Sequence, residues 1–426
     1  MIKLNIQNLF KIANKQHTIS KQSNNKETNQ KEELTHLNAL IIEKNIDLHK
    51  NINKYTHISE TQKLTKKLKD KYKHVLVIGM GGSSLGTIFL ANSLLKTKSP
   101  TLDVIDYIDP DAITQTLNKL DITKTLIITI SKSGGTLETM AIYQYVKEVA
   151  KQASSNYKKN FIFITEDDSK LAKYAKQENQ QILPIPKEVG GRFSILTPVS
   201  LFPAELLAIN TSKILDGANT MAETLKTNNP TKNIAYQFAK IQYDLFKKGK
   251  TCNIIWPYSQ KLKQLSNWYR QLLAESIGKK INSNREEVFA GITPILALET
   301  TDQHSQTQLY NEGPNQNLIV FITTKQENTI TIQNQDTRDT ELLDINNLTL
   351  NNILKASQKA TASALTKNNR PNITIEIDKI TEKTIGELII FFETSIIYLG
   401  EMLQINTFNQ PGVELAKILL KTELQI

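Results

Sequence analysis

The segment SKSGGT at 131–136 places three hydroxyls, an ammonium and two glycines between an apolar, β-branched run over 124–130 and a helical pattern over 137–149. Glycine lets the backbone close around a ligand, and the unpaired N–H groups at a helix start attract anions. Ser131, Lys132, Ser133 and Thr136 therefore converge on one point as a phosphate cradle, whereas a plain strand-to-helix connector carries one or two polar residues. The chemistry is that of holding a phosphate, without the signature of a nucleotide site.

Four further segments carry reactive or binding groups. VLVIGMGGSSLGT at 75–87 fails as a dinucleotide fingerprint because Ser84 stands where the third glycine belongs. It fails as a Walker loop because Thr87 stands where lysine belongs. What remains is a turn in which Gly81, Gly82 and Ser83 bring backbone close to a small ligand. EVGGRFS at 188–194 sets Arg192 behind two glycines, Gly190 and Gly191, and a guanidinium suits an anionic oxygen. Over 260–280 an amphipathic helix is predicted with the stripe Leu262, Leu265, Trp268 or Tyr269, and Leu272. Glu275, three after Leu272 and four after Gln271, falls on that stripe, with Gly278 as the stop. A carboxylate so placed is expected to be desolvated and suited to general-base work; the ordinary alternative is a glutamate paired with a lysine. NTFNQPGVELAKILLK at 406–421 puts Gln410, Val413, Lys417 and Leu420 on one helix face. Desolvation there would tune Lys417 for proton transfer, and the ordinary alternative is a lysine that snorkels to water. Beyond Val75 the single histidine is His304, in the polar loop TTDQHSQTQ, and no histidine pair has metal-ligand spacing.

Elements to position these groups are legible. At 426 residues the chain has room for two or three domains. Strand patterns over 74–78, 104–108, 125–130 and 161–165 alternate with helical ones, the rhythm of a parallel sheet with crossover helices. A helical stretch over 221–248 leads to a second alternation, with strands over 253–256, 292–298 and 318–323, a further candidate over 330–332 and an edge strand over 373–377. Helices over 384–403 and 413–422 close the chain. The fold class is α/β: two three-layer αβα sandwiches with mainly parallel sheets plus terminal helices. The expected divisions are an N-terminal helical region (1–72), a first sandwich with the cradle (73–215), a helical connection (216–250), a second sandwich (251–400) and a C-terminal helix completing the active site (401–426). In such sheets ligands sit outside the carboxyl ends of the strands.

Composition narrows the partners. The net charge of +10 comes from lysines scattered along the chain, with no basic block interleaved with aromatics, so nucleic acid is not expected and a small anionic substrate is. A hydrophobic content of 39% supplies the cores. The one cysteine, Cys252, allows no disulfide, and the N-terminus lacks an apolar signal core. The stretch 385–403 carries Glu387, Glu393 and Glu401 and reads as a core helix, not a membrane span. A cytoplasmic protein is expected.

Together GGSSLG at 81–86, SKSGGTLET at 131–139, VGGRFS at 189–194, WYRQLLAESIGK at 268–279, DQH at 302–304 and NQPGVELAK at 409–417 resemble the glucose-6-phosphate isomerase (phosphoglucose isomerase) family of two sugar-isomerase domains, from Val75 to Lys421. The resemblance implies reversible aldose–ketose isomerisation of glucose 6-phosphate and fructose 6-phosphate through a cis-enediol. By it Ser131, Lys132, Ser133 and Thr136 hold the phosphate, while Gly82, Ser83 and Gly191 line the sugar. Glu275 shuttles the proton, and Arg192 stabilises the negative oxygen. His304 and Lys417 open the ring, with Gln271 and Gln410 as hydrogen-bonding neighbours. It also implies a homodimer in which His304 crosses the interface, and neither metal nor redox cofactor. Asn409 replaces a frequent aspartate of the family and Ala416 a common glycine. The alternatives are a non-catalytic sugar-phosphate sensor of the same domains or a phosphomannose-active isomerase.

Overall fold

The structure is a computed structural model that describes residues 2–19, 24–43, 56–68, 70–96, 100–325, 328–333 and 345–425. Five parallel strands form the first sheet: β2 (His74–Ile78), β3 (Thr101–Ile105), β4 (Thr125–Ile130), β5 (Phe161–Thr165) and β6 (Gln181–Pro184), in the order β3-β2-β4-β5-β6. All six residues of β4 are buried, which is why it reads as an unbroken apolar run. The chain leaves β2 toward β3 on one side and leaves β4 toward β5 on the other. The crevice between the carboxyl ends of β2 and β4 is thus the point where the winding reverses, the place where such sheets take ligands. Both glycine-rich turns, 79–84 and 131–136, emerge there.

The second sheet holds β7 (Cys252–Pro257), β10 (Thr293–Leu296), β11 (Asn317–Thr324) and β12 (Asn372–Ile377) in parallel, in the order β12-β11-β7-β10. A fifth strand, β1 (Ile2–Asn5), adds antiparallel to β12. The N-terminal region is therefore not wholly helical, and 373–377 is not an edge. Strand β3 lies three residues earlier than its apolar pattern suggests, and Ile108 is left exposed in the loop beyond it. The 330–332 candidate forms only a bridge between Thr331 and Thr349. The connection divides into helices Thr211–Leu225 and Ile234–Phe246. A hairpin of β8 (Lys279–Ile281) and β9 (Glu287–Ala290) projects from the second half.

Helix Glu382–Met402 runs through the core with Ile385 to Gly400 entirely buried. Among the described residues no helix is long and apolar enough to cross a membrane. A Cβ on Gly386 would lie 1.9 Å from the Ile214 carbonyl, so glycine is what lets this helix touch helix Thr211–Leu225 backbone to backbone. Burial holds the Glu393 carboxyl well above the usual carboxylate range. Helix Lys263–Ile277, which bears Glu275, packs across the halves onto helix Leu85–Leu94. Trp268 stacks on Phe89 with ring centroids 5.8 Å apart.

The N-terminal strap is also tied by charge chemistry. Buried Lys250 donates to His17 Nδ1 at 3.0 Å and to Asn315 Oδ1 at 2.8 Å, and also to the Asn315 carbonyl. Burial, then Arg370 and Lys248, lowers the Lys250 ammonium to about 8; burial, then Lys250, Arg370 and Lys248, lowers His17 below 6.5. The unfolded chain thus binds more protons at both groups. The His17 contribution to stability is fully present above about pH 6.5 and is lost as pH falls through its lower folded value. The Lys250 contribution has already gone by pH 8. We expect the melting temperature to drop between pH 7.5 and 5.5 in thermal unfolding, and to drop less in His17→Gln, whose amide oxygen still accepts from Lys250.

Candidate active site

The cradle is organised by its own hydroxyls. Gly134 N–H donates to Ser131 Oγ at 3.2 Å, and Gly135 N–H to Ser133 Oγ at 3.1 Å. Gly134 has φ +70°, and a Cβ there would sit 2.7 Å from the Leu171 nitrogen, so both backbone and space require glycine. Thr136 is the N-cap of helix Leu137–Ala153, and its hydroxyl does not cap the helix. The Lys132 ammonium turns aside, to Glu166 at 3.2 Å and the Lys187 carbonyl at 2.9 Å. In this arrangement the turn is lined by hydroxyls bonded to its own main-chain N–H groups, with the lysine directed to Glu166.

Beside it the turn Gly81–Ser83 is pressed against the segment bearing Arg192. A Cβ on Gly82 would lie 2.2 Å from the Gly191 carbonyl oxygen, and one on Gly81 2.9 Å from Gln271 Nε2. Ser194 Oγ donates to the Gly191 carbonyl at 2.7 Å and to that of Gly82 at 3.3 Å. The two turns thus meet backbone to backbone, and the helix reaches them through the Gln271 side chain.

Arg192 is the hub. It is 2% exposed and all five of its N–H donors are engaged. Nε donates to Ser276 Oγ (2.9 Å), and NH1 to Glu275 Oε2 (3.2 Å) and Gln410 Oε1 (2.8 Å). NH2 donates to the carbonyls of Thr407 (2.5 Å) and Asn409 (3.1 Å). Burial opposes the guanidinium charge and Glu275 supports it. The other Glu275 oxygen accepts from Gln271 Nε2 at 3.0 Å. Gln271 Oε1 is buried with no partner among the described residues, an acceptor that a sugar hydroxyl would satisfy.

The sequence pattern misjudges the surroundings of Glu275, while Lys417 takes the ordinary alternative of a lysine open to water. Glu275 is not desolvated: its side chain keeps 32% exposure because it leaves the apolar stripe to reach Arg192 at the crevice. Lys417 is 58% exposed and pairs with Glu414 at 2.7 Å, since helix Glu414–Glu423 has no buried residue in the single chain. His304 is likewise exposed, its N–H bonded to the Thr301 carbonyl in the turn after β10. One chain therefore assembles Gly82, Gly191, Arg192, Gln271, Glu275 and Gln410 and places the 131–136 cradle on the neighbouring strand end. Ser83 stands half-buried in the same wall. His304 and Lys417 stay outside this group. Ser276 and Lys279, which the sequence pattern does not single out, join it: Lys279 Nζ donates to the Glu275 carbonyl at 2.5 Å. Among the described residues no cluster of three or more metal-ligating side chains occurs.

Two glycine-rich turns at a sheet's winding reversal, one of them packed against the segment of a buried arginine that holds a carboxylate, define an α/β protein of the doubly wound class. The chain belongs to the phosphoglucose isomerase family, whose sequence profile matches residues 31–425. It is 39% identical to the glucose-6-phosphate isomerase of Carboxydothermus hydrogenoformans over 84% of this chain and 80% of that one. It is 37% identical to that of Methanocaldococcus jannaschii, over 80% and 82%. Among solved structures, a hypothetical protein from Thermus thermophilus superposes with a TM-score of 0.88 at 25% identity, covering 100% of both chains. A glucose-6-phosphate isomerase from Chlamydia trachomatis shares the fold, with a TM-score of 0.76 at 20% identity over 86% of this chain and 72% of the other.

Proposed function

We propose that this chain reversibly isomerises glucose 6-phosphate and fructose 6-phosphate, a step of glycolysis and gluconeogenesis, and that Glu275 moves the proton. The observation that carries the reading is the Arg192–Glu275–Gln271 group fixed at the mouth of the crevice that also bears the hydroxyl-and-amide cradle. The cradle holds the 6-phosphate. With the ring open, Glu275 takes the proton from C2 of the aldose; the C2–H electron pair forms the enediol double bond and the C1 oxygen gains a proton. Returning the carbon-bound proton to C1 while the C2 oxygen loses its own gives the ketose. Negative charge developing on O1 or O2 faces the guanidinium. Since every Arg192 donor is engaged, a bond from NH1 must pass from Glu275 or Gln410 to the substrate oxygen as that charge grows. This exchange makes the interaction stronger in the transition state than in the ground state.

Ring opening is assigned to His304 and Lys417, and the site is completed by a second copy of the chain. Support comes from what the single chain leaves uncovered. His304 is exposed, the β8–β9 hairpin presents Phe289 at 70% exposure, and helix Glu414–Glu423 presents Leu415 at 65% with Ile418 and Leu419 beside it. Apolar groups in such number mark an interface. In the homodimer read here, His304 enters the partner's crevice and the C-terminal helix acquires the packing that would desolvate Lys417. The cytoplasm is the compartment this reading assigns, consistent with the free, buried Cys252.

Two inactive variants test the crossing. Glu275→Gln and His304→Ala, mixed under conditions that exchange subunits, should form hybrids with one intact site, recovering roughly a quarter of wild-type activity at random exchange. A mixture that stays as inactive as its components, with hybrids verified by mass, rules out a His304 shared between subunits.

A further inference from the structure

Immediately behind the base sits a cation to which neither the motif nor the mechanism above gives a part. Helix Lys263–Ile277 ends at Gly278, where a Cβ would lie 2.7 Å from the Ala274 carbonyl, so only glycine allows this close exit. The turn brings Lys279, the first residue of β8, back beneath the last helical turn. Lys279 is 6% exposed, and its ammonium donates to the main-chain carbonyl of Glu275. No carboxylate pairs with it among the described residues, and its charged neighbours are Arg192 and Glu275. A buried ammonium with one main-chain acceptor is costly unless its field is used.

We propose that Lys279 is a positioning residue for the isomerisation: it anchors the backbone of Glu275 from a buried ammonium beside the Arg192–Glu275 pair and so keeps the base aimed at the substrate. The proposal rests on the isomerase reading above. Arg192 cannot anchor that backbone as well, because its five donors are already divided among two side-chain oxygens, one carboxylate and two carbonyls. Lys279 acts on the main chain of Glu275 at the helix end, where Arg192 makes no bond. The lysine is itself strained electrostatically: burial, then Arg192, lowers it to about 8 while Glu275 opposes the shift. Its charge is therefore present through neutral pH and fades above it. A lysine serving only to cap the last-turn carbonyls of a helix would cost stability when replaced and leave kcat of the folded enzyme unchanged.

The test measures kcat and KM for fructose 6-phosphate in wild type, Lys279→Met and Lys279→Gln. The glutamine keeps an N–H donor for the Glu275 carbonyl but carries no charge. In both variants kcat should fall about tenfold or more, the effect of a misaimed reacting group, with KM within about twofold because the cradle is untouched. Should Lys279→Met fail to fold, Lys279→Gln alone decides. A folded variant whose kcat stays at the wild-type value overturns the proposal and leaves the isomerase reading standing. A folded, dimeric wild type with no turnover at any pH takes down both.

Discussion

Glu275→Gln should lose at least about two orders of magnitude in kcat in a coupled assay of fructose 6-phosphate conversion, the scale of a missing general base. KM should change little, because the proposed site assigns the phosphate to the 131–136 turn and not to the carboxylate. The variant is also expected to fold. Its amide oxygen can still accept from Arg192, and the Gln271 side chain can rotate to present Oε1 to the new N–H, using an acceptor that is buried and unpartnered in the native chain. Stability within about 1 kcal/mol of wild type is therefore expected from denaturant unfolding. A large activity loss with intact folding assigns the effect to chemistry.

Arg192→Met should damage both properties. It leaves Ser276 Oγ, Gln410 Oε1 and two carbonyls without their donor and strips Glu275 of its cation. Removing one partner of a fully buried pair costs about 3–5 kcal/mol. Glu275 is a third exposed, so a loss on the order of 3 kcal/mol is the better expectation. Activity should fall by roughly 10²–10³ for the missing oxyanion charge. Arg192→Lys restores a charge but not the planar fork, which here binds two separate segments, 275–276 and 407–410. It should recover part of the stability and little of the turnover. Urea midpoints and kcat measured on the same preparations separate the two losses.

The features legible in the sequence are those governed by local pattern. β2, β4 and β5 read correctly because interior parallel strands are buried on both faces and become continuous apolar runs. β1 does not, since four residues, IKLN, become a strand only by pairing with β12 some 370 positions away. The exposed hairpin β8–β9 lacks the apolar periodicity that would announce it. At the site, glycine spacing reveals where backbones approach, and Gly82 against Gly191 is the result. Helical periodicity locates Glu275 to within one face of its helix but misses that a side chain at the stripe's end can turn out to meet Arg192. At Lys417 helix geometry favours a lysine that reaches water, and in the single chain it does. Lys279 is invisible for a different reason. Its significance comes from a glycine-permitted reversal of the chain, and no periodicity encodes that.

The central claim is that this chain converts a hexose 6-phosphate between aldose and ketose by proton transfer on Glu275. The most direct measurement is the coupled assay on purified protein, with fructose 6-phosphate as substrate, glucose 6-phosphate read out, and no metal added. The account predicts turnover in the wild type and its near-abolition in Glu275→Gln. Wild-type-like turnover in that variant, or none in a correctly folded, dimeric wild type, would contradict it.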